Sequence, residues 1–103
     1  MKLQTDCIEI LEEEYKAYVV KVVSASRAGV GDILCCINGV FYLFEIKGRN
    51  DSERALQREN INRVIQAGGR ATFIRSTSEL RDFIRSGSSG HIYTNLTNNK
   101  IKL

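Results

Sequence analysis

The dipeptide Asn38-Gly39 constrains this chain more than any other feature. Both central residues of a two-residue type I′ turn need positive φ, and Asn-Gly between apolar runs is the strongest short-range hairpin signal. Such a loop dictates the register of everything that flanks it. Ile37 faces Val40, Cys36 faces Phe41, and Leu34 faces Leu43. Further out, Asp32 falls directly opposite Glu45, on the same face of the sheet. Opposed carboxylates repel, so the pairing is unfavourable unless something sits between them. A divalent cation would remove that penalty. Lys47, two residues past Glu45, points to the same face.

The strands of this hairpin, Gly31 to Ile37 and Val40 to Lys47, do not alternate cleanly between apolar and polar. Ile33, Cys35, Ile37, Val40, Tyr42 and Phe44 line one face, and Leu34, Cys36, Phe41 and Leu43 the other. That pattern predicts a central pair covered on both sides. Against such a background the charges at Asp32, Glu45 and Lys47 stand out, because uncompensated charge on a buried strand is costly. A salt-bridged trio at the hairpin mouth is the purely structural alternative.

The remaining elements follow from periodicity and punctuation. Leu3, Cys7, Ile10 and Leu11 recur at helical spacing, predicting a helix from Leu3 to about Lys16 with acids on its other faces. Tyr18 to Val23 is β-branched and strand-like, and 24–31 is a small-residue loop containing Ser24, Ser26 and Arg27. Asp51 or Ser52 is expected to cap a helix running to about Ala67, with Leu56, Ile61, Val64 and Ile65 as its buried stripe. Gly68-Gly69 stops it. A strand from Ala71 to Arg75 and a helix from Glu79 to Arg85, opened by Thr77 or Ser78, complete the order αβββαβα. Strand, helix, strand after the hairpin implies a parallel crossover, hence a small mixed α/β (α+β) sheet with helices on both faces. Residues 1–87 read as the domain. Residues 88–103 read as a polar tail that forms an edge strand, a dimer arm or a poorly ordered end.

At 103 residues the chain supports one core and not two. No apolar stretch approaches the roughly 20 residues of a membrane helix, and the N-terminus turns acidic too early for a secretory signal, which makes a cytoplasmic protein the default expectation. A formal charge of +3 allows nucleic-acid binding without demonstrating it. Most of the fifteen basic residues lie at or beyond Lys47, with Arg49, Arg54, Arg58, Arg63 and Arg70 crowded after the hairpin. A solvated helix face accounts for them equally well. Cys7, Cys35 and Cys36 with a single His91 make no convincing zinc set, so reduced core cysteines are expected.

Phosphodiester hydrolysis needs a metal to activate water and to neutralise charge in the transition state. Mg²⁺ prefers oxygen ligands and retains several waters. Asp32 and Glu45 offer two carboxylates, the carbonyl of Ile46 a third protein oxygen, and Lys47 a cation to orient water or stabilise developing charge. Gln57, on the next helix, has an amide suited to positioning that water or a phosphate oxygen; an exposed helix residue is the plain alternative.

Gly31-Asp32, then Glu45-Ile46-Lys47, then Gln57 resembles the PD-(D/E)XK nuclease superfamily. Within it the chain looks most like small stand-alone VRR-NUC domains, often carried by phages, and more distantly like archaeal Holliday-junction resolvases. The likeness spans about residues 5 to 85 and includes the acidic first helix, the Ser/Gly loop and the helix ending in Ala-Gly-Gly. Gly31 stands where the family name has proline, a position that sets backbone conformation.

The resemblance implies a restriction-endonuclease-like αβββαβ core in which Asp32 and Glu45 bind Mg²⁺ or Mn²⁺, Lys47 is catalytic and Gln57 is the family's downstream glutamine. It implies that Lys21, Ser24, Ser26 and Arg27 face DNA backbone; Arg49 and Arg54 are further nucleic-acid-binding candidates. An acid of the first helix often completes such a site, and Asp6, Glu9 and Glu13 compete for that place. The activity implied is a metal-dependent DNA endonuclease acting on branched or structured DNA, Holliday junction or flap, as a homodimer. A phage-encoded version would work in the host cytoplasm. A non-catalytic DNA-binding or assembly module that keeps the fold is the competing class. A single-strand or RNA-directed enzyme is less favoured, since the chain has no Trp and Phe41, Tyr42 and Phe44 read as buried.

Overall fold

The computed structural model describes residues 2–23 and 32–96. Its elements run α1 (Lys2–Glu14), β1 (Tyr18–Lys21), β2 (Ile33–Ile37), β3 (Val40–Ile46), α2 (Ala55–Gln66), β4 (Arg70–Ile74) and α3 (Thr77–Ser86). This is the expected αβββαβα order. The strands form one mixed sheet in the order β1-β2-β3-β4, with the first three antiparallel and β4 parallel to β3. The Asn-Gly turn behaves as its chemistry requires: Asn38 has φ 49° and Gly39 φ 80°. Ile37 pairs with Val40, Cys36 with Phe41, Leu34 with Leu43 and Ile33 with Phe44.

Two cores sit on the two faces of the sheet. On one side α1 and α3 cover Ile33, Cys35, Ile37, Tyr42, Phe44, Ile46 and Ile74 with Cys7, Leu11 and Leu80. The ring of Phe44 stacks on Tyr42 and meets the edge of Phe83. On the other side α2 places Ile61 over Leu43, Ala71 and Phe73. Gly68-Gly69 ends α2 as expected, with Gly68 at φ 100° and the Gly69 N–H donating to the Val64 carbonyl at 2.9 Å.

The second face is only half covered, which corrects the reading of a pair buried on both sides. A single helix, α2, packs on that face, against β3 and β4 at one side of the sheet. Phe41 is 46% exposed, Tyr18 75%, and Cys36 is exposed as well, so Cys36 is not a core thiol. Leu56, expected in the buried stripe of α2, is 52% exposed, and Asn60 and Asn62 are buried beside Ile61 instead. Asn62 is satisfied by the tail: its Nδ2 donates to the Tyr93 carbonyl and its Oδ1 accepts from the Tyr93 N–H, both at 2.8 Å.

α2 also begins later than its sequence suggests. Neither Asp51 nor Ser52 caps it; Arg54 holds the N-cap position, and Gln57 Oε1 accepts from the Arg54 N–H at 3.0 Å. Asp51 is used locally, accepting from the Gly48 N–H at 2.8 Å. α3 is capped one residue earlier than expected, Ser76 Oγ accepting from the Glu79 N–H. Residues 88–96 form no strand but lie against β4 and α2, the Ala71 N–H donating to the Ser89 carbonyl at 2.9 Å. No helix among the described residues is long and apolar enough to cross a membrane.

Candidate active site

The open end of the hairpin carries a polar cavity of about 430 Å³ lined by Asp32, Glu45, Ile46, Lys47, Asn50, Asp51, Ser52, Arg54 and Gln57. Continuing the β2–β3 register outward sets Asp32 opposite Glu45, and the Asp32 N–H donates to the Phe44 carbonyl at 3.1 Å. Asp32 Oδ2 accepts from the Ile46 N–H at 2.8 Å, which fixes this carboxylate at the strand end.

Glu45 is only 5% exposed. Its Oε2 accepts from Gln57 Nε2 at 2.9 Å, while Oε1 is buried without a hydrogen-bond partner among the described residues. Burial pushes the Glu45 carboxyl up to about 8, and the neighbouring Asp32 adds to the rise; Lys47 and Arg54 pull the other way. An orphaned carboxylate oxygen facing a second carboxylate is a costly arrangement for the isolated chain. A hard cation relieves it. Among the described residues no three His, Cys, Asp or Glu side chains converge to hold a metal. The residues that could hold a cation here are Asp32 and Glu45, with Ile46 in the same cavity wall, a donor set that would leave room for the several waters Mg²⁺ keeps.

Lys47 is 6% exposed, its Nζ 5.8 Å from the centre of the Phe73 ring, and it makes no ion pair among the described residues. Its N–H donates to the Ile74 carbonyl at 2.9 Å, so β4 anchors its backbone. The salt-bridged trio anticipated as the structural alternative is therefore not formed.

Gln57 lies in the cavity wall beside Glu45. Both ends of its amide are engaged, Nε2 on Glu45 and Oε1 on the Arg54 N–H, so it braces Glu45 while lining the cavity. The acids of α1 are elsewhere. Asp6, Glu9 and Glu13 line a separate depression with Thr77 and Arg81, and none joins Asp32 and Glu45.

The basic residues divide sharply. Arg54 lines the cavity and Arg49 is exposed on the adjoining turn. Arg58 is spent on Glu53 and the Asn95 carbonyl, and Arg63 on Glu59. Arg70 is structural, bonded to the Tyr42 hydroxyl and the Phe83 carbonyl and stacked on both rings. Lys21 ends β1 opposite Ile33, on the face of the sheet away from Glu45. Ser24, Ser26, Arg27 and Gly31 lie outside the described residues.

Three cavity residues escaped the sequence reading: Asn50, Asp51 and Ser52. The Gly-Arg-Asn-Asp run signals a turn, but nothing local says that the turn folds over the acids.

A solved structure of a VRR_NUC domain shares this fold, with a TM-score of 0.70 and 21% identity, covering 84% of this chain and 95% of that one. No family model and no curated protein matches the chain. The mixed four-stranded sheet with flanking helices is the fold of that VRR_NUC domain, as the αβββαβ order anticipated.

Proposed function

We propose that this chain is a metal-dependent DNA endonuclease that hydrolyses phosphodiester bonds in branched or structured DNA, of the Holliday junction or flap type, as a homodimer. The observation that carries the reading is the buried Glu45 Oε1, without a partner among the described residues, set close to Asp32 in a polar cavity. The likeness to a VRR_NUC domain structure supports the same class.

Asp32, Glu45 and the Ile46 carbonyl would hold Mg²⁺ or Mn²⁺, which when bound neutralises phosphate charge and activates water. Gln57 Nε2 holds one oxygen of Glu45 and leaves the other for the cation. The Asp32 carboxylate is held in place by the Ile46 N–H. Lys47, largely shielded from bulk water, offers an ammonium to the attacking water or to a non-bridging phosphate oxygen. Arg54 at the rim and Arg49 on the turn meet the phosphate backbone, which fixes the position of the strand without reading its sequence.

Four-way junction, flap, duplex and single-stranded DNA incubated with Mn²⁺ or Mg²⁺ test the proposal. Nicking of the branched substrates is expected, and its loss in Asp32→Ala and Lys47→Ala with junction binding retained. Tight junction binding in EDTA without cleavage under either metal would establish the non-catalytic module instead. Full activity in Lys47→Ala would remove Lys47 from the chemistry.

A further inference from the structure

Arg75 lies just past β4 and does not line the polar cavity, yet it is tied directly to the cavity wall. Its Nη1 donates to the Gly48 carbonyl at 2.7 Å and its Nη2 to the Asp51 carbonyl at 2.9 Å. One planar guanidinium thus grips both ends of the turn that follows Lys47. The turn is also closed on itself: the Gly48 N–H donates to Asp51 Oδ2 at 2.8 Å and the Asp51 N–H to the Gly48 carbonyl at 3.3 Å. Asp51 packs close to Gly48, where an added Cβ would stand 3.1 Å from Oδ2.

The grip is itself braced. The Arg75 N–H donates to Glu79 Oε1 at 2.7 Å, and Glu79 belongs to the first turn of α3, whose N-cap Ser76 accepts the Glu79 N–H. One residue back, the Ile74 carbonyl holds the Lys47 N–H. The end of β4 therefore fixes Lys47 through one bond and Gly48 through the next. Asn50 and Asp51, carried by the same turn, are part of the cavity wall.

We infer that Arg75 is a positioning residue: it clamps the turn Gly48–Asp51 and so sets the backbone from which Lys47, Asn50 and Asp51 face the cavity. This role rests on the nuclease reading for its catalytic consequence but not for the clamp itself. A lysine at this position keeps the charge and lacks the fork that spans two carbonyls. Both carbonyls lie in an exposed turn, where water replaces the lost donors, so the fold is not at stake.

The test compares the wild type with Arg75→Lys, using single-turnover cleavage of a four-way junction with Mn²⁺ and backbone ¹⁵N order parameters. In Arg75→Lys the cleavage rate at saturating protein is expected to fall about 10- to 100-fold, as small misplacements of reacting groups produce. Junction affinity is expected to stay within about twofold and Tm within a few degrees, a split that a general loss of structure does not give. Order parameters over 48–51 are expected to drop from about 0.85 toward 0.6 while those of β3 stay high.

An unchanged rate beside a loosened turn overturns the positioning role. Unchanged order parameters overturn the clamp, whatever the rate. Should the wild type cut nothing, the nuclease reading fails and the order parameters still decide the clamp.

Discussion

The two faces of the β2–β3 hairpin are built from alternate residues of the same strands, yet they meet opposite fates. On the α1/α3 face, Ile33, Cys35, Tyr42 and Phe44 are sealed by two helices into a dry core. On the α2 face, one helix covers Leu43 and leaves Phe41 and Cys36 open at the turn end and a polar cavity at the other. Glu45 follows Phe44 by one residue and inherits the opposite face, so a single step along the strand separates the sealed core from the proposed site. Incomplete cover is what leaves room for the polar cavity. Two opposed carboxylates under a second sealed layer would have neither solvent nor a route for substrate.

The largest test of this contrast is truncation on each face. Phe44→Ala removes a fully buried ring stacked on Tyr42 and should cost about 3–5 kcal/mol in urea unfolding. Phe41→Ala, on the open face, should cost under about 1 kcal/mol. Equal losses would mean that the second face is covered after all.

A second test uses pH on the metal-free protein. Glu45 keeps its proton in the folded chain up to about 8, whereas the unfolded chain releases it near 4.5. Between those values the folded state binds more protons at Glu45, so the contribution of this group to stability is fully present below about 4.5 and is lost as pH rises toward 8. Urea unfolding in EDTA at pH 5 and pH 8 should show the decline, and Glu45→Gln should flatten it. An identical slope in the variant would show that Glu45 is not the strained group.

The smallest effect is chemical. Cys36 is exposed, whereas burial pushes the thiols of Cys7 and Cys35 up to about 11 and about 12. A native-state thiol titration with an aromatic disulfide reagent should find one fast cysteine, and all three after denaturation. Three fast thiols would show that the α1/α3 face opens readily.

How much of this is written locally explains what sequence reasoning could see. The meeting of Asp32 and Glu45 follows from turn arithmetic, because a two-residue loop leaves no freedom of register. The stop of α2 at Gly68-Gly69 is equally local. The failures are all tertiary. Asp51 and Ser52 have cap chemistry, but Asp51 is consumed by the Gly48 N–H and the helix starts at Ala55, where Gln57 can serve both Arg54 and Glu45. Leu56 and Phe41 have core chemistry, but about half of each side chain stays exposed in the folded chain. Arg70 looks like one more surface cation, and only the fold brings it between Tyr42 and Phe83. Arg75 is separated from its turn by 24 to 27 positions, a link that no periodicity reveals.

The stretch after α3 bears on how short this chain can be made. Ser88 and Ser89 offer carbonyls to Arg70 and Ala71, and the backbone at Gly90 passes so near Ala71 that an added Cβ would lie 2.1 Å from its carbonyl oxygen. Tyr93 satisfies both ends of the Asn62 amide. Cutting at Gly87 would leave a buried asparagine and a strand-edge amide facing water through a slot in the fold. A trimmed or fused version of the domain should keep its sequence through Leu96.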